Sequence, residues 1–342
     1  MHHKVYIIIL NYNGWKDTVE CLESVFRVAY PDYKVIVVDN DSTDNSLEYI
    51  KAWADGDECV WRRPDNSFED LFETPLKKPI AYNVIYNQGR EYSAGVYDQA
   101  ETALTVIQAG KNLGFAGGNN VGIRYAIKAN DYGFIWLLNN DTVIDKYSLK
   151  ELCDYHRQYP DTGIIGSKLL YYDNPSIIQS IGGRLNKWFA TTSNFGGGQV
   201  DNGQLDKYVE IDHIRGASFF ISGKCIETVG LLPEDYFMYM EETDYCYKAR
   251  LRGLEVGYAY KSRVYHKEGS STGCKYSKGN EGKSYIADIL SLRNRLRFAK
   301  KYLRSYLPTV YLGLIISFSI RIKRRQWKNA SYIIKLILGA EG

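Results

Sequence analysis

Four polar clusters and one histidine stand where the residue types could do chemistry. Glu241, Glu242 and Asp244 fall inside Tyr236-Phe237-Met238-Tyr239-Met240-Glu241-Glu242-Thr243-Asp244-Tyr245-Cys246. Acids crowded among large apolar residues repel one another and lose solvation, which raises a carboxylate toward general-base use. Acids in the first turn of a helix are also favoured by its dipole, so capping is the plain structural reading. Asn139-Asn140-Asp141-Thr142 follows the buried run Phe134-Ile135-Trp136-Leu137-Leu138. One carboxylate with amide neighbours can hold Mg²⁺ or Mn²⁺ when substrate phosphates complete the shell, and an Asx turn explains the same residues. Asp39-Asn40-Asp41-Ser42-Thr43-Asp44 follows Val37-Val38. Ser42 to Asp44 read as caps for a helix from Ser46, whereas Asp39 is placed to accept from a nucleobase or ribose. Asn112 to Asn120 is rich in glycine, which permits either a tight strand-to-helix turn or a ligand at a helix N-terminus. It does not match G-x-G-x-x-G. His266 stands alone in sequence and draws its interest from this company.

The elements around these clusters must position them. Lys4 to Leu10, Tyr33 to Val38, Thr102 to Ala109 and Phe134 to Leu138 are short, nearly continuous apolar runs, the pattern of strands covered on both faces. Helical spacing lies between them at Trp15 to Val28, Ser46 to Ala54 and Ala116 to Asn130. Alternation of this kind predicts an α/β fold with a mostly parallel sheet and helices on both faces, and ligands then sit beyond the carboxyl ends of the strands. The polar clusters at 39 to 44 and 139 to 141 fall there. Residues 55–101 read as an insertion. After Gly163, shorter strands and Gly-rich turns predict smaller antiparallel additions forming an acceptor-side wall, with a further strand from Val256 to Tyr260.

Composition narrows the class. The chain of 342 residues is 45% hydrophobic and 24% charged, which excludes a disordered chain or a coiled coil. Its six cysteines form no C-x-x-C, arguing against a zinc knuckle or a disulfide framework. No apolar run reaches about 18 residues and Met1-His2-His3-Lys4 is no signal peptide, so a cytoplasmic body is expected. Charge is uneven: residues 283–342 carry 13 Lys or Arg against Asp288 and Glu341. Within them, Leu307 to Ile320 is mostly apolar and is followed by Arg321, Lys323, Arg324, Arg325 and Lys328. At 14 residues it is short of the roughly 20 needed to span a bilayer, and a basic amphipathic helix lying on an anionic membrane surface is expected. Packing on the main body and a homodimer contact are the alternatives. No nucleic-acid motif accompanies the charge, so no nucleic-acid partner is expected.

Taken in order, Ile8 to Asn13, Val38 to Asp44, Asn112 to Asn120, Leu138 to Thr142, Tyr239 to Asp244 and His266 resemble the inverting family 2 glycosyltransferases of the GT-A fold, in the branch called rhamnosyltransferase-like. The resemblance spans roughly residues 4 to 300. It implies a GT-A catalytic domain over 1–282, with a nucleotide-sugar half (1–145) and an acceptor half (146–282), followed by a basic helical tail (283–342). It implies transfer from a dTDP-, UDP- or GDP-linked sugar to a saccharide hydroxyl, with a divalent cation (Mg or Mn) as cofactor. A lipid-linked acceptor would suit a peripheral place on the inner face of the membrane. Carried over, the donor side would comprise Asn11, Asn13, Asp39, Asp41, Asn112, Gly114, Asn119 and Asn140. The metal would fall to Asp141 and His266, the base to Glu242 and the acceptor to Glu241 and Asp244. The first position of the D-x-D motif is Asn139, and Glu242 stands where many relatives carry Asp. A degenerate nucleotide-sugar-binding module is the rival reading. Asn139 favours it, and the joint presence of Asp141, Glu241, Glu242 and His266 opposes it.

Overall fold

The computed structural model describes residues 3–57, 59–61, 68–87, 102–267 and 285–340. The first half contains β1 (Val5–Asn11), α1 (Trp15–Val25), β2 (Tyr33–Asp39), α2 (Ser46–Asp55), β3 (Tyr82–Tyr86), β4 (Leu104–Gln108), α3 (Gly114–Ala129), β5 (Phe134–Asn139) and β6 (Thr142–Ile144). The second contains α4 (Ser148–Gln158), β7 (Thr162–Tyr171), β8 (Ile178–Ser180), β9 (Leu185–Asn186), β10 (Thr191–Thr192), β11 (Ser218–Ser222), α5 (Gly223–Val229), α6 (Glu241–Leu251) and β12 (Glu255–His266). The tail forms α7 (Tyr285–Tyr302), α8 (Leu307–Lys323) and α9 (Trp327–Leu338).

One sheet runs through both halves in the order β3-β4-β2-β1-β5-β11-β7-β12-β6, with β8 paired on β7. β3, β4, β2, β1 and β5 are mutually parallel, and β11 lies antiparallel between β5 and β7. The direction of winding reverses at β1, because β2 and β4 lie on one side of it and β5 on the other. Register then fixes the site: Asn11 pairs with Asp39, Asp39 with Gln108, and Leu10 with Asn139. Four strands therefore deliver polar residues to one carboxyl edge at the switch point, where open α/β sheets bind ligands.

Successive side chains of the central strands enter opposite layers. Tyr6, Ile8, Ile36 and Val38 pack with α3, α5 and α6, while Val5, Ile7, Ile9, Val35 and Val37 pack with α1, α2 and α4. Glycines set the closeness of α3. A Cβ at Gly118 would lie 2.4 Å from Leu10 Cδ1, and one at Gly122 2.7 Å from Ile8 Cγ2.

Two expectations change here. The insertion contributes an edge strand, β3, whose half-exposed pattern explains its weak periodicity. β12 continues past Tyr260 through a register shift after Ala259, so His266 ends a strand paired with both Tyr171 and Thr142. The strands after Gly163 bring the expected antiparallel pairings, β11 with β5 and β7 and β8 with β7 on the one sheet, and β9 with β10 apart from it. The tail packs on the body: Leu292, Leu296 and Phe298 of α7 share a core with Tyr236 and Ala190 below and with Val310, Leu314, Ile333 and Leu336 above.

Replacing Gly118 with Val should wedge α3 from β1. Glycine-to-larger substitution gains about 0.5–1 kcal/mol of helix propensity at most, against about 1–3 kcal/mol for overpacking. A net loss in urea unfolding is expected, and unchanged stability would mean that the α3–β1 contact is loose.

Candidate active site

On the nucleotide side, Asp39 is fully buried and saturated. Its Oδ1 accepts from Asn11 Nδ2 (2.8 Å) and Ser42 Oγ (2.5 Å), and its Oδ2 accepts from Gln108 Nε2 (2.8 Å) and the Ser42 amide (3.2 Å). Ser42 thus holds Asp39 instead of capping α2, where Asp44 Oδ1 takes the Ser46 amide (3.1 Å). A nucleobase N–H reaching Asp39 must displace one of these donors, and Gln108, half-buried at the end of β4, is the longest side chain among them. Asn13 Oδ1 accepts from the Thr43 amide (2.7 Å), and Asp41 is exposed beside it.

The glycine-rich segment is a turn locked to a second loop. Asn112 Oδ1 accepts from Asn40 Nδ2 and from the Gly114 amide, both at 3.0 Å, and Asn119 Nδ2 donates to the Phe115 carbonyl (2.9 Å). Gly114 has φ of +69°, and a Cβ there would lie 2.5 Å from the Phe237 carbonyl oxygen, so no other residue fits. The Phe115 amide donates to that same carbonyl (3.0 Å). In this structure the side chains of Asn112 and Asn119 serve the turn and the helix. Asn140 is buried and donates to Thr18 Oγ1 (3.1 Å) and the Gly14 carbonyl (3.3 Å).

Asp141 and His266 do come together. Asp141 Oδ1 lies 3.1 Å from His266 Nε2, while His266 Nδ1 lies 2.8 Å from Gln179 Oε1. With Nδ1–H donating to Gln179, Nε2 is left to face the carboxylate, the outer-shell arrangement typical of a metal-binding histidine. Burial works to raise the Asp141 pKa, but His266, a backbone hydrogen bond and Lys267 outweigh it and hold the carboxyl below its ordinary value. The Lys267 ammonium is engaged by Asp17 and Glu20. One carboxylate and one imidazole, with open positions left for diphosphate oxygens, make a donor set that Mg²⁺ or Mn²⁺ accepts. No cluster of three or more His, Cys, Asp or Glu side chains occurs among the described residues.

The third part is the carboxylate pair opening α6. Glu242 Oε1 accepts from the Gly216 amide (3.1 Å), and a Cβ at Gly216 would lie 2.8 Å from that same oxygen. The residue after Gly216 links this anchor to the cation side, because the Asn139 amide donates to the Ala217 carbonyl (3.2 Å). Burial raises the Glu242 pKa against backbone hydrogen bonds and Arg215. Glu241 is raised further, by burial first and by the Glu242 charge second, and its Oε2 is buried with no hydrogen-bond partner among the described residues.

Asp244 turns toward the tail. Fully buried, its carboxylate takes Tyr236 Oη (2.7 Å), Lys301 Nζ (2.8 Å) and Tyr302 Oη (2.9 Å), joining α6 to the tail. The loop before the pair is strained: Phe237, Tyr239 and Met240 have φ of 63°, 69° and 78°. Asn294 of α7 holds it, sharing its amide hydrogens among the carbonyls of Tyr236 (2.9 Å), Met238 (2.7 Å) and Tyr239 (3.0 Å). Gln108, Gln179, Gly216 and Asn294 escaped the sequence reading, since each acts through a partner distant in the chain.

Residues 6–68 match the family model described as glycosyl transferase family 2, and residues 81–280 match that described as glycosyltransferase like family 2. Over 241 residues the chain is 28% identical to the low-salt glycan biosynthesis hexosyltransferase Agl10 of Haloferax volcanii, covering 68% of this chain and 73% of that protein. Among solved structures, GalNAc-T7 with UDP, GalNAc and Mn²⁺ superposes with a TM-score of 0.58 at 14% identity, over 91% of this chain. The chain spans only 50% of that structure's length. The mannosyltransferase PcManGT from Pyrobaculum calidifontis, in complex with GDP-Man and Mn²⁺, gives a TM-score of 0.53 at 13% identity, over 98% of this chain and 86% of that one. At such identities the structural likeness is one of fold.

Two outcomes are expected. The folded protein keeps a proton on Glu241 that the unfolded chain releases near the ordinary value of 4.5, so this contribution to stability is present below pH 4.5 and lost as pH rises through the raised folded value. Glu241→Gln should therefore be more stable than the parent in urea at neutral and alkaline pH and converge with it in acid; parallel curves would remove Glu241 as the source. Asn294→Ala should cost about 2–3 kcal/mol, the sum expected for uncovering buried carbonyls, and should slow turnover more than it weakens donor binding. Parental stability would show that the loop holds without it.

Proposed function

The chain belongs to the family 2 glycosyltransferases, with a GT-A fold, and from that premise we propose that it transfers a sugar from a nucleotide-sugar donor to a saccharide hydroxyl with inversion, Glu242 being the general base. The observation that supports this most is the link through Gly216 and Ala217: the anchor of a raised-pKa carboxylate is hydrogen-bonded, one residue on, to the backbone of the segment carrying Asp141.

The chemistry follows from charge accounting. The acceptor oxygen attacks the anomeric carbon, its proton passes to Glu242, and the bond to the nucleoside diphosphate breaks with its electron pair leaving on the diphosphate. A single displacement with one base inverts the anomeric centre. A raised pKa makes Glu242 a stronger proton acceptor, while the Gly216 amide fixes which oxygen is engaged and leaves the other to the acceptor. Asp141 and His266 would hold a divalent cation, Mg²⁺ or Mn²⁺, that neutralises the departing diphosphate. GalNAc-T7 and PcManGT carry UDP or GDP-Man with Mn²⁺ on this fold, which supports a nucleotide-sugar donor and a cation here.

On the acceptor side, the tail supports a lipid-linked saccharide. Its helices cover the loop that leads into Glu241 and Glu242 and leave apolar residues of α8 and α9 facing outward beside Lys323, Arg325 and Lys328. The segment Arg304–Lys323 is apolar and long enough to cross a membrane. Because Val310, Gly313 and Leu314 of that segment are buried in the protein, a helix lying along the membrane surface is the better fit.

Thermal unfolding with UDP-, dTDP- and GDP-sugars, each with and without Mn²⁺, identifies the donor, since ligands that bind only the folded chain raise its melting temperature. With that donor, Glu242→Gln should lower kcat by about 10²- to 10⁴-fold while keeping the Mn²⁺-dependent thermal shift. Asp141→Ala should lose that shift. Undiminished turnover in Glu242→Gln would eliminate it as the base.

A further inference from the structure

Where α7, α8 and α9 meet the β9–β10 hairpin there is a cavity of about 400 Å³. Arg295, Arg321 and Arg324 line it, and Asp288 is the one carboxylate in its wall. Asp288 is already committed, gripped by Arg321 through Nε (3.0 Å) and Nη2 (2.5 Å) and by Asn329 Nδ2 (2.8 Å). Arg295 spends its Nε on the Phe189 carbonyl (2.6 Å), and among the described residues no ion pair engages Arg295 or Arg324. Burial lowers the Arg295 pKa, and neighbouring Arg321 lowers it further. Like charges are gathered in a polar recess with too few carboxylates to balance them, an environment that favours an anion. The approach is built into the helix: a Cβ at Gly313 would lie 2.4 Å from Arg295 Nη2, so glycine lets the guanidinium pass beneath α8.

Two neighbours identify the kind of anion. Met240, which lines the cavity, is followed directly by Glu241 and Glu242, so the recess adjoins the loop that leads into the carboxylate pair. The helix that supplies Arg321 turns Leu312 and Ile315, each 50% exposed, outward together with Ile316 and Ile320. Their spacing of three and four residues makes one stripe along α8. A single molecule with an apolar chain, a phosphorylated junction and a saccharide presents these chemistries in that order.

We propose that this cavity binds the phosphate or diphosphate joining lipid to saccharide in the acceptor. The site rests on the lipid-linked acceptor reading above. Guanidinium forks suit phosphate oxygens, and Arg324, exposed at the end of α8, is the member a headgroup meets first.

The test separates this site from the donor site and from ordinary phospholipid. Inorganic pyrophosphate is titrated in EDTA against the full chain carrying Asp141→Ala, with thermal unfolding as the readout. Saturable stabilisation is expected, weakened about tenfold by Arg324→Gln and more by adding Arg295→Gln. Arg324 is exposed, so its variant should fold, which circular dichroism checks. In flotation, the chain should follow phosphatidylcholine vesicles containing a polyprenyl phosphate more than vesicles given equal charge as phosphatidylglycerol, and the double variant should lose that preference. Pyrophosphate stabilisation indifferent to both arginines overturns the site. Equal flotation with phosphatidylglycerol overturns the acceptor assignment and leaves a general headgroup site. Neither arm involves sugar transfer, so failure of the transferase reading would appear separately, as absent donor turnover.

Discussion

A buried chain of three side-chain hydrogen bonds sets the spacing on which the site depends. Asn140 donates to Thr18 (3.1 Å), Thr18 to Asn11 (2.7 Å) and Asn11 to Asp39 (2.8 Å), all beneath the carboxyl edge of the sheet. It joins the end of β2, the end of β1, the first turn of α1 and the turn before β6. These are the segments that carry the nucleotide-side carboxylate and Asp141. Every member lies in low dielectric, where a satisfied chain is strengthened and a broken one leaves an uncompensated polar group. The same residues cannot also turn outward to a ligand, which is why Asn140 is enclosed although it sits in the motif. The constraint fixes the distance between Asp39 and Asp141, the two ends of the proposed donor site.

The carboxylate pair depends on a second constraint, supplied from outside the sheet. Non-glycine residues in left-handed backbone cost about 1–3 kcal/mol each, and three of them immediately precede Glu241. Such a loop persists when its surroundings over-determine it. Asn294 covers three of its carbonyls, Phe115 takes a fourth, and the Tyr236–Asp244–Lys301–Tyr302 cluster pins both sides to α7. The tail therefore holds the loop from which α6, with Glu242 in its first turn, begins. Sequence reading separated 283–342 from the catalytic domain because its charge differs, but charge reports the outer face of the helices and the shared core lies on the inner one.

How much was legible follows from the range over which each interaction acts. Buried strands ending abruptly in polar residues announce themselves locally, so Asn11, Asp39 and Asp141 were placed correctly at the carboxyl edge. Which way a side chain turns at a helix start is harder. Glu242 and Asp244 are separated by about 200° around α6, so one reaches Gly216 and the other the tail, although both belong to one acidic run. Gln179 stands 87 positions from His266, and Asn294 is one polar residue among the arginines and leucines of a basic helix. Ser42 looked like a cap because capping residues and carboxylate-holding residues are the same types. Tertiary contacts alone distinguish them.

The separation of charge across the molecule carries the last step. The proposed cation ligands Asp141 and His266 stand at the ends of β5 and β12, braced by Gln179 and by Lys267, whose own charge is absorbed by Asp17 and Glu20. Arg295 and Arg324, which no ion pair engages among the described residues, lie among the tail helices. A diphosphate leaving group and an anionic acceptor would compete for one another's sites if both were lined by fixed positive charge. Under the proposals above, the first would depend on a removable ion between an acid and an imidazole, and the second on permanent guanidinium groups. Because Asp17 and Glu20 absorb the Lys267 charge, the Asp141 side would then bind a diphosphate strongly only with its metal, and the two anions would be sorted by the kind of cation each meets.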